Sequence, residues 1–267
     1  MTEARVQISV VDHVAHVRLN RPEKRNGLDL AMFEGLIAAG LQLRSDRSVR
    51  AVVLSGEGKA FCAGLDWLAF LSAPAEEVRD RLLARDPAES PANVAQRCCW
   101  VWQELEVPVI AAVHGAAIGG GLQLALACDF RIVAPDAQLS VMEIRYGLIP
   151  DMSASQTLFR LVRPDVAKEL LFTGRTVSGE EAVALGLATR VAAEPLAEAL
   201  AFARVLAAQS PHAIRAGKKL AHAAAHLSVA DAFQLETELQ LKLLGSPNQM
   251  EAVQATMGKR APDFSDV

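Results

Sequence analysis

The chain has 267 residues, 51% hydrophobic and 22% charged, with 27 basic against 31 acidic side chains and a formal net charge of −4. This length suits one large domain or a core with a smaller appendage, and the composition is that of a globular protein. The charge balance gives no general attraction to nucleic acid or to an anionic membrane surface.

The opening residues, MTEARVQISVVDH, hold no apolar run long enough for a secretory leader. Four cysteines, Cys62, Cys98, Cys99 and Cys128, form no CxxC pair. Reduced thiols in a cytoplasmic protein are therefore expected. VQISVV and HVAHVRL are β-branched runs joined by a polar turn at Asp12-His13, which predicts a hairpin. A helix is predicted from Asp29 to Ser45, where Met32, Phe33, Leu36, Ile37, Leu41 and Leu43 fall broadly on one side. VRAVVLSG is a continuous apolar run ended by glycine, as in a strand buried on both faces. GEGKAFCAGLD then reads as a loop. Residues 84–93, ARDPAESPAN, are the most loop-like stretch of the chain.

Val107 to Cys128 carries no Lys, Arg, Asp or Glu and is long enough for a membrane span. Pro108, His114, Gly115 and the triplet at 119–121 break it into a strand (VPVIAAV), a glycine loop (GAAIGGG) and a helix (LQLALACD). FRIVA and AQLSV read as further strands. After Ser153 helical patterns dominate to the end, one of them opened by a capping box at Ser178 and Glu181. The fold class expected is α/β, with an α/β core over 1–195 and a helical region over 196–267.

Both glycine loops follow buried strands. Each offers free backbone N–H groups, and glycines let a ligand approach the backbone closely. One amide from each loop, aimed at one oxygen, makes an oxyanion hole. The same glycines also serve packing, and neither loop carries GxGxxG or the GK[ST] of a phosphate loop.

The combination of NRPEKRNGL (20–28), AFCAGLD (60–66), PVIAAVHGAAIGGG (108–121), CDFRIVAPDAQLS (128–140), MEIRYGLIP (142–150), FTGRTVSGEEAVALGL (172–187) and GKRAPDF (258–264) resembles the crotonase superfamily, the enoyl-CoA hydratases and isomerases. That resemblance implies a spiral of ββα units with a helical tail used for trimerisation. It implies homotrimers or dimers of trimers, and an acyl-CoA thioester as substrate with no separate cofactor and no metal. It maps the oxyanion amides onto Leu65 and Gly120. It puts CoA contacts near Lys24, Arg25, Ala63 and Asp66, with Lys259 and Arg260 reaching a neighbouring subunit.

Family hydratases resemble one another in using two glutamates. Here Gln123 stands at the first position and Glu143 at the second, while Asp151 stands where hydratases have glycine. The family's dienoyl-CoA isomerases carry an Asp at the Asp151 position, but also one at the Gln123 position. Glu143 and Asp151 are thus the catalytic candidates, and Gln123 a substrate contact. Double-bond isomerisation is the expected reaction. Hydration of a 2-enoyl-CoA by a reduced site, and non-catalytic acyl-CoA binding, are the alternatives. A structural reading also stands, with Glu143 acting as a cap or paired to Arg145 and Asp151 capping the helix from Ser153.

Other residues are set aside. His222 and His226 lie one helical turn apart, but the sequence gives them no third ligand. His114 reads as structural, and Cys62 lacks a basic partner to activate it. Trp67, Trp100 and Trp102 belong to the acyl pocket or the core.

Overall fold

A computed structural model of the chain describes residues 4–72 and 74–266, with the side chains of Ala75 and Glu77 outside the description. Part of the opening stretch read for a leader, residues 1–3, lies outside it too.

Strands β1 (Val6–Val11) and β2 (Val14–Leu19) form the expected hairpin. Asp12 and His13 both take positive φ, 48° and 66°. A two-residue turn with that geometry matches the twist of the strands it joins. β2 pairs in parallel with β3 (Ala51–Gly56), and β3 with β4 (Val109–Val113). β5 (Ala116–Ile118) leaves that sheet, β6 (Phe130–Val133) returns to it, and β7 (Gln138–Ser140) lies parallel to β5. β8 (Thr176–Val177) completes the sheet β5-β7-β8, and β9 (Arg190–Val191) the sheet β1-β2-β3-β4-β6-β9. The stretch GAAIGGG is therefore not one loop. It holds a short strand, entered at Gly115 and left by a turn at Gly119, and Gly120 and Gly121 already belong to the next helix.

The uncharged runs at β3 and β4 are buried on both faces. Val52 and Leu54 of β3, with Val109 and Ala111 of β4, join the main core under the helix Leu30–Ser45. Ala51, Val53, Ile110 and Ala112 face the other way, onto Ala199, Ala203 and Ala207 of the helix Pro195–Ala207. Period-2 alternation between two apolar layers explains why these strands read as unbroken hydrophobic runs. The small alanines let that helix lie close to the sheet, so it belongs to the core although the sequence assigns it almost wholly to the tail.

Beyond it lie helices Pro211–Ala224, Val229–Leu243 and Pro247–Met257. Asp129 ties the first of these to the core, accepting from Lys218 Nζ at 2.6 Å and lying 3.3 Å from His222 Nε2. His222 thus has a carboxylate neighbour that sequence spacing did not reveal. Among the described residues no cluster of three or more His, Cys, Asp or Glu is placed to hold a metal. No helix in them is long and apolar enough to cross a membrane.

Two capping expectations change. Ser178 accepts from the Glu181 N–H, but the Glu181 carboxylate turns to Arg175 at 2.7 Å instead of closing the box. A complete box stands at Asn93 and Gln96, where the loop-like stretch runs into the helix Val94–Glu104.

Candidate active site

The loop at 60–66 is held on two sides. Cys62 donates its N–H to Ala116 O (2.9 Å) and accepts at its own carbonyl from Ile118 N (3.0 Å), stitching the loop to β5. On the other side Leu28 N donates to Gly64 O and Asp66 N donates to Leu28 O. Gly64 takes φ +86°, and a Cβ there would lie 2.6 Å from the Ile118 carbonyl oxygen, so only glycine fits. Between these anchors the Leu65 N–H donates no hydrogen bond among the described residues.

The glycine triplet supplies the second amide. Gly119 takes φ +53°, and a Cβ on it would lie 3.3 Å from Glu143 Oε1. Gly120 opens the helix Gly120–Leu126, where the first turn leaves its N–H groups without intrahelical acceptors. A Cβ on Gly121 would fall 2.2 Å from the Cys62 carbonyl oxygen. That close approach brings the two loops together.

Leu65, Gly120, Glu143 and Asp151 all line one cavity of about 510 Å³, with Ala63 beside them. Its apolar wall includes Phe33, Trp67, Phe70, Tyr146 and Met152. Of the three tryptophans, Trp67 lines this cavity, Trp102 is in the core, and Trp100 borders a different cavity beneath the C-terminal helices.

Glu143 begins the 3-10 turn Glu143–Tyr146. Its Oε1 accepts from Gln123 Nε2 at 2.7 Å, while its Oε2 is shielded from solvent and has no partner among the described residues. Burial raises its pKa above the ordinary glutamate value, and the nearby Asp151 charge adds to this. Asp151 is open to solvent on one side, yet the protein packed around its carboxyl raises its pKa too. Neither structural alternative for these carboxylates holds. Glu143 bonds Gln123, not Arg145, and the 3-10 turn after Ser153 has no side-chain cap.

Gln123 is only 2% exposed and lies behind Glu143, not on the cavity wall. Its Oε1 accepts from Met152 N at 2.8 Å. Lys24 and Arg25 are exposed and do not line the cavity; the Arg25 carbonyl accepts from Ala63 N at 2.9 Å. Asp66 pairs with the buried Arg21 at 2.8 Å and caps the helix Trp67–Leu71 through Ala69 N. Arg260 is engaged with Glu251 at 2.8 Å within the same chain.

Sequence reasoning missed Arg21, a buried cation holding the two segments together, and Tyr146. The one signal for Tyr146 was its spacing of three from Glu143, which eclipses the two on a 3-10 turn. Cys62 is buried, donates to Asn26 O, and has its thiol pKa pushed up to about 12, so it is inert as a nucleophile. His114 bonds Gly58 O at 2.9 Å.

Two backbone donors and two carboxylates around an apolar cavity can stabilise an oxyanion and move a proton beside it. Comparison with known proteins points the same way. The enoyl-CoA hydratase/isomerase family model matches residues 10–267. The human mitochondrial Delta(3,5)-Delta(2,4)-dienoyl-CoA isomerase is 34% identical over 93% of this chain and 77% of its own length. The crystal structure of an enoyl-CoA hydratase from Bacillus anthracis matches with TM-score 0.89 at 32% identity, over 97% of this chain and 98% of that one. An enoyl-CoA hydratase from Mycobacterium smegmatis matches with TM-score 0.86 at 33% identity, over 98% and 99%. The chain has the crotonase fold and belongs to the enoyl-CoA hydratase/isomerase family of the crotonase superfamily.

Proposed function

We propose that this protein moves a double bond along an unsaturated acyl-CoA thioester. The observation that carries the reading is the pairing of Glu143 with a neutral Gln123 instead of a second glutamate. An amide cannot take a proton, so the pair does not supply two carboxylates to activate water. A proton shift needs one base and one enolate stabiliser. Glu143 removes a proton next to the thioester or its conjugated carbon, and the enolate oxygen is held by the Leu65 and Gly120 N–H groups. Glu143 or Asp151 returns a proton at a distant carbon. Each oxyanion donor in such a site is worth roughly 3 kcal/mol of the barrier. The step is redox-neutral and calls for no further cofactor or metal.

Hydration of a 2-enoyl-CoA is the second reading. It is favoured by Asp151, a second carboxylate on the same cavity wall, and by the names of the structural relatives. Incubation with 3-enoyl-, 3,5-dienoyl- and 2-enoyl-CoA, following double-bond migration and water addition together, separates the two. Fast hydration of the 2-enoyl substrate without double-bond migration overturns the isomerase reading.

Assembly into trimers, or dimers of trimers, belongs to the same proposal. The helix Val229–Leu243 buries no residue, and Phe233, Leu241, Leu244, Val253 and Met257 stay exposed around it. Sedimentation measurements would give the oligomeric mass. The four buried, free thiols suit a reducing compartment, and we place the protein in the cytoplasm.

A further inference from the structure

We propose that Gln123 is the positioning residue of this site: its amide holds Glu143 Oε1 and so fixes the orientation of the carboxylate that exchanges a proton with the substrate. The inference rests on the reading of Glu143 as the base. It replaces the sequence-based expectation that Gln123 meets the substrate.

The geometry is specific to an amide. Gln123 accepts from Met152 N at 2.8 Å and donates to Glu143 Oε1 at 2.7 Å. One planar group must therefore offer an acceptor on one side and a donor on the other, which Gln does and an ionised Glu does not. The Met152 N–H fixes which end is which, because a flipped amide would turn its NH₂ against another donor. Gln123 is almost fully buried on a helix whose first turn supplies the Gly120 amide, so one rigid element carries the oxyanion donor and the clamp. Gly119, without a Cβ, leaves room for Glu143 Oε1 beside it. Oε2 is shielded from solvent and has no partner among the described residues, so among them Gln123 is the one side chain that orients the carboxyl.

Asp151, Arg79 and Tyr146 line the same cavity as Glu143, and Cys99 is buried behind it within reach of the Asp151 charge. The helix Gly120–Leu126 brings no titratable side chain.

The test is Gln123→Glu. When the two carboxyls share one proton, the substituted side chain reproduces the clamp by donating its O–H to Glu143. When both are ionised, two like charges face each other and the clamp is lost. The wild-type kcat profile should rise with pH to a plateau. The variant should match it near the acid limb and then fall about 10- to 100-fold as the shared proton leaves, KM changing little. A flat alkaline plateau overturns the proposal.

A second measurement uses the wild-type protein. The Gln123 side-chain amide resonance, assigned through bonds, should shift in step with the carboxyl ¹³C resonance of Glu143 as it titrates. An amide indifferent to that titration overturns the proposal even if the variant does not fold. This reading needs no turnover, so it stands apart from the isomerase proposal. Conversely, a failed clamp with an inactive Glu143→Gln leaves Glu143 as the base.

Discussion

Tyr146, the single tyrosine of the chain, lies against Trp67 with ring centroids 4.8 Å apart and planes inclined at 32°. The contact joins the two halves of the site. Trp67 follows the loop at 60–66, two residues after Leu65, and Tyr146 sits one 3-10 turn after Glu143. Both rings line the cavity that holds Glu143 and Asp151. Such an aromatic pair contributes about 0.5–1.5 kcal/mol beyond its buried area. Tyr146→Leu should therefore raise KM for an unsaturated acyl-CoA by roughly two- to tenfold with little change in kcat. Tyr146→Phe should behave as wild type. Steady-state kinetics on the two variants checks this.

Glu143→Gln should cost about 10²–10⁴-fold in kcat, the usual worth of a positioned base. The same change should stabilise the fold at neutral and alkaline pH. Burial raises the folded pKa of this carboxyl, so the folded state holds its proton more tightly than the unfolded chain. The stability cost of ionising it grows as pH rises from the unfolded value through the folded one. Thermal melts should show a higher Tm for the variant at pH 8 and no difference well below about pH 4, where the free side chain is protonated in both states.

With Glu143 as the proposed base, its raised pKa sets the acid limb of the activity: a base acts only when ionised, so kcat/KM should rise with pH through a midpoint above that of an ordinary glutamate. Asp151→Asn removes the neighbouring charge that adds to this shift and should move the midpoint down. A profile measured from pH 4 to 9 on both proteins checks the direction.

Gly64→Ala tests the oxyanion loop. Positive φ and a Cβ 2.6 Å from the Ile118 carbonyl oxygen force the loop or β5 to shift. Strain of this kind costs about 1–3 kcal/mol. Displacing the Leu65 N–H should also lower kcat by about 10²-fold, as loss of an oxyanion donor does. Denaturant melts and kinetics on one preparation read both effects.

The strands and both glycine junctions were legible in the sequence, because β3 and β4 are uncharged runs and Gly64 and Gly119 occupy backbone positions that disfavour other residues. The wall of the cavity around Glu143 and Asp151 was not. Helices Trp67–Leu71 and Ala75–Leu83 are short, and Trp67, Phe70, Leu71, Val78, Leu82 and Leu83 meet at the cavity only through tertiary packing. Sequence also placed Gln123 and Glu143 at matching family positions without revealing their hydrogen bond. That bond spans a helix and a 3-10 turn that meet only after β6 and β7 have folded between them. The pairing of Asp66 was hidden for a related reason: its partner Arg21 is more than 40 residues away and buried only in the fold.

Asp129 shows how far such a long-range tie reaches. It accepts from Val109 N at 2.7 Å and from Lys218 Nζ at 2.6 Å, and lies 3.3 Å from His222 Nε2. Burial alone would raise its pKa, but the bonds from His222 and Lys218 outweigh it and hold the carboxyl below the ordinary aspartate value. Lys218 is itself buried, so Asp129→Asn leaves a cation without its counter-charge. The expected cost is about 3–5 kcal/mol at neutral pH. Because the folded pKa is depressed, the contribution is fully present above the unfolded value and is lost as pH falls through the folded one. The deficit of the variant should therefore shrink in acid. Adding Lys218→Met removes the stranded charge, and the double variant should recover part of the loss. Urea melts of the single and double variants at pH 7 and at a pH well below the ordinary aspartate value test both points, and a double variant no more stable than Asp129→Asn would remove the buried pair as the cause.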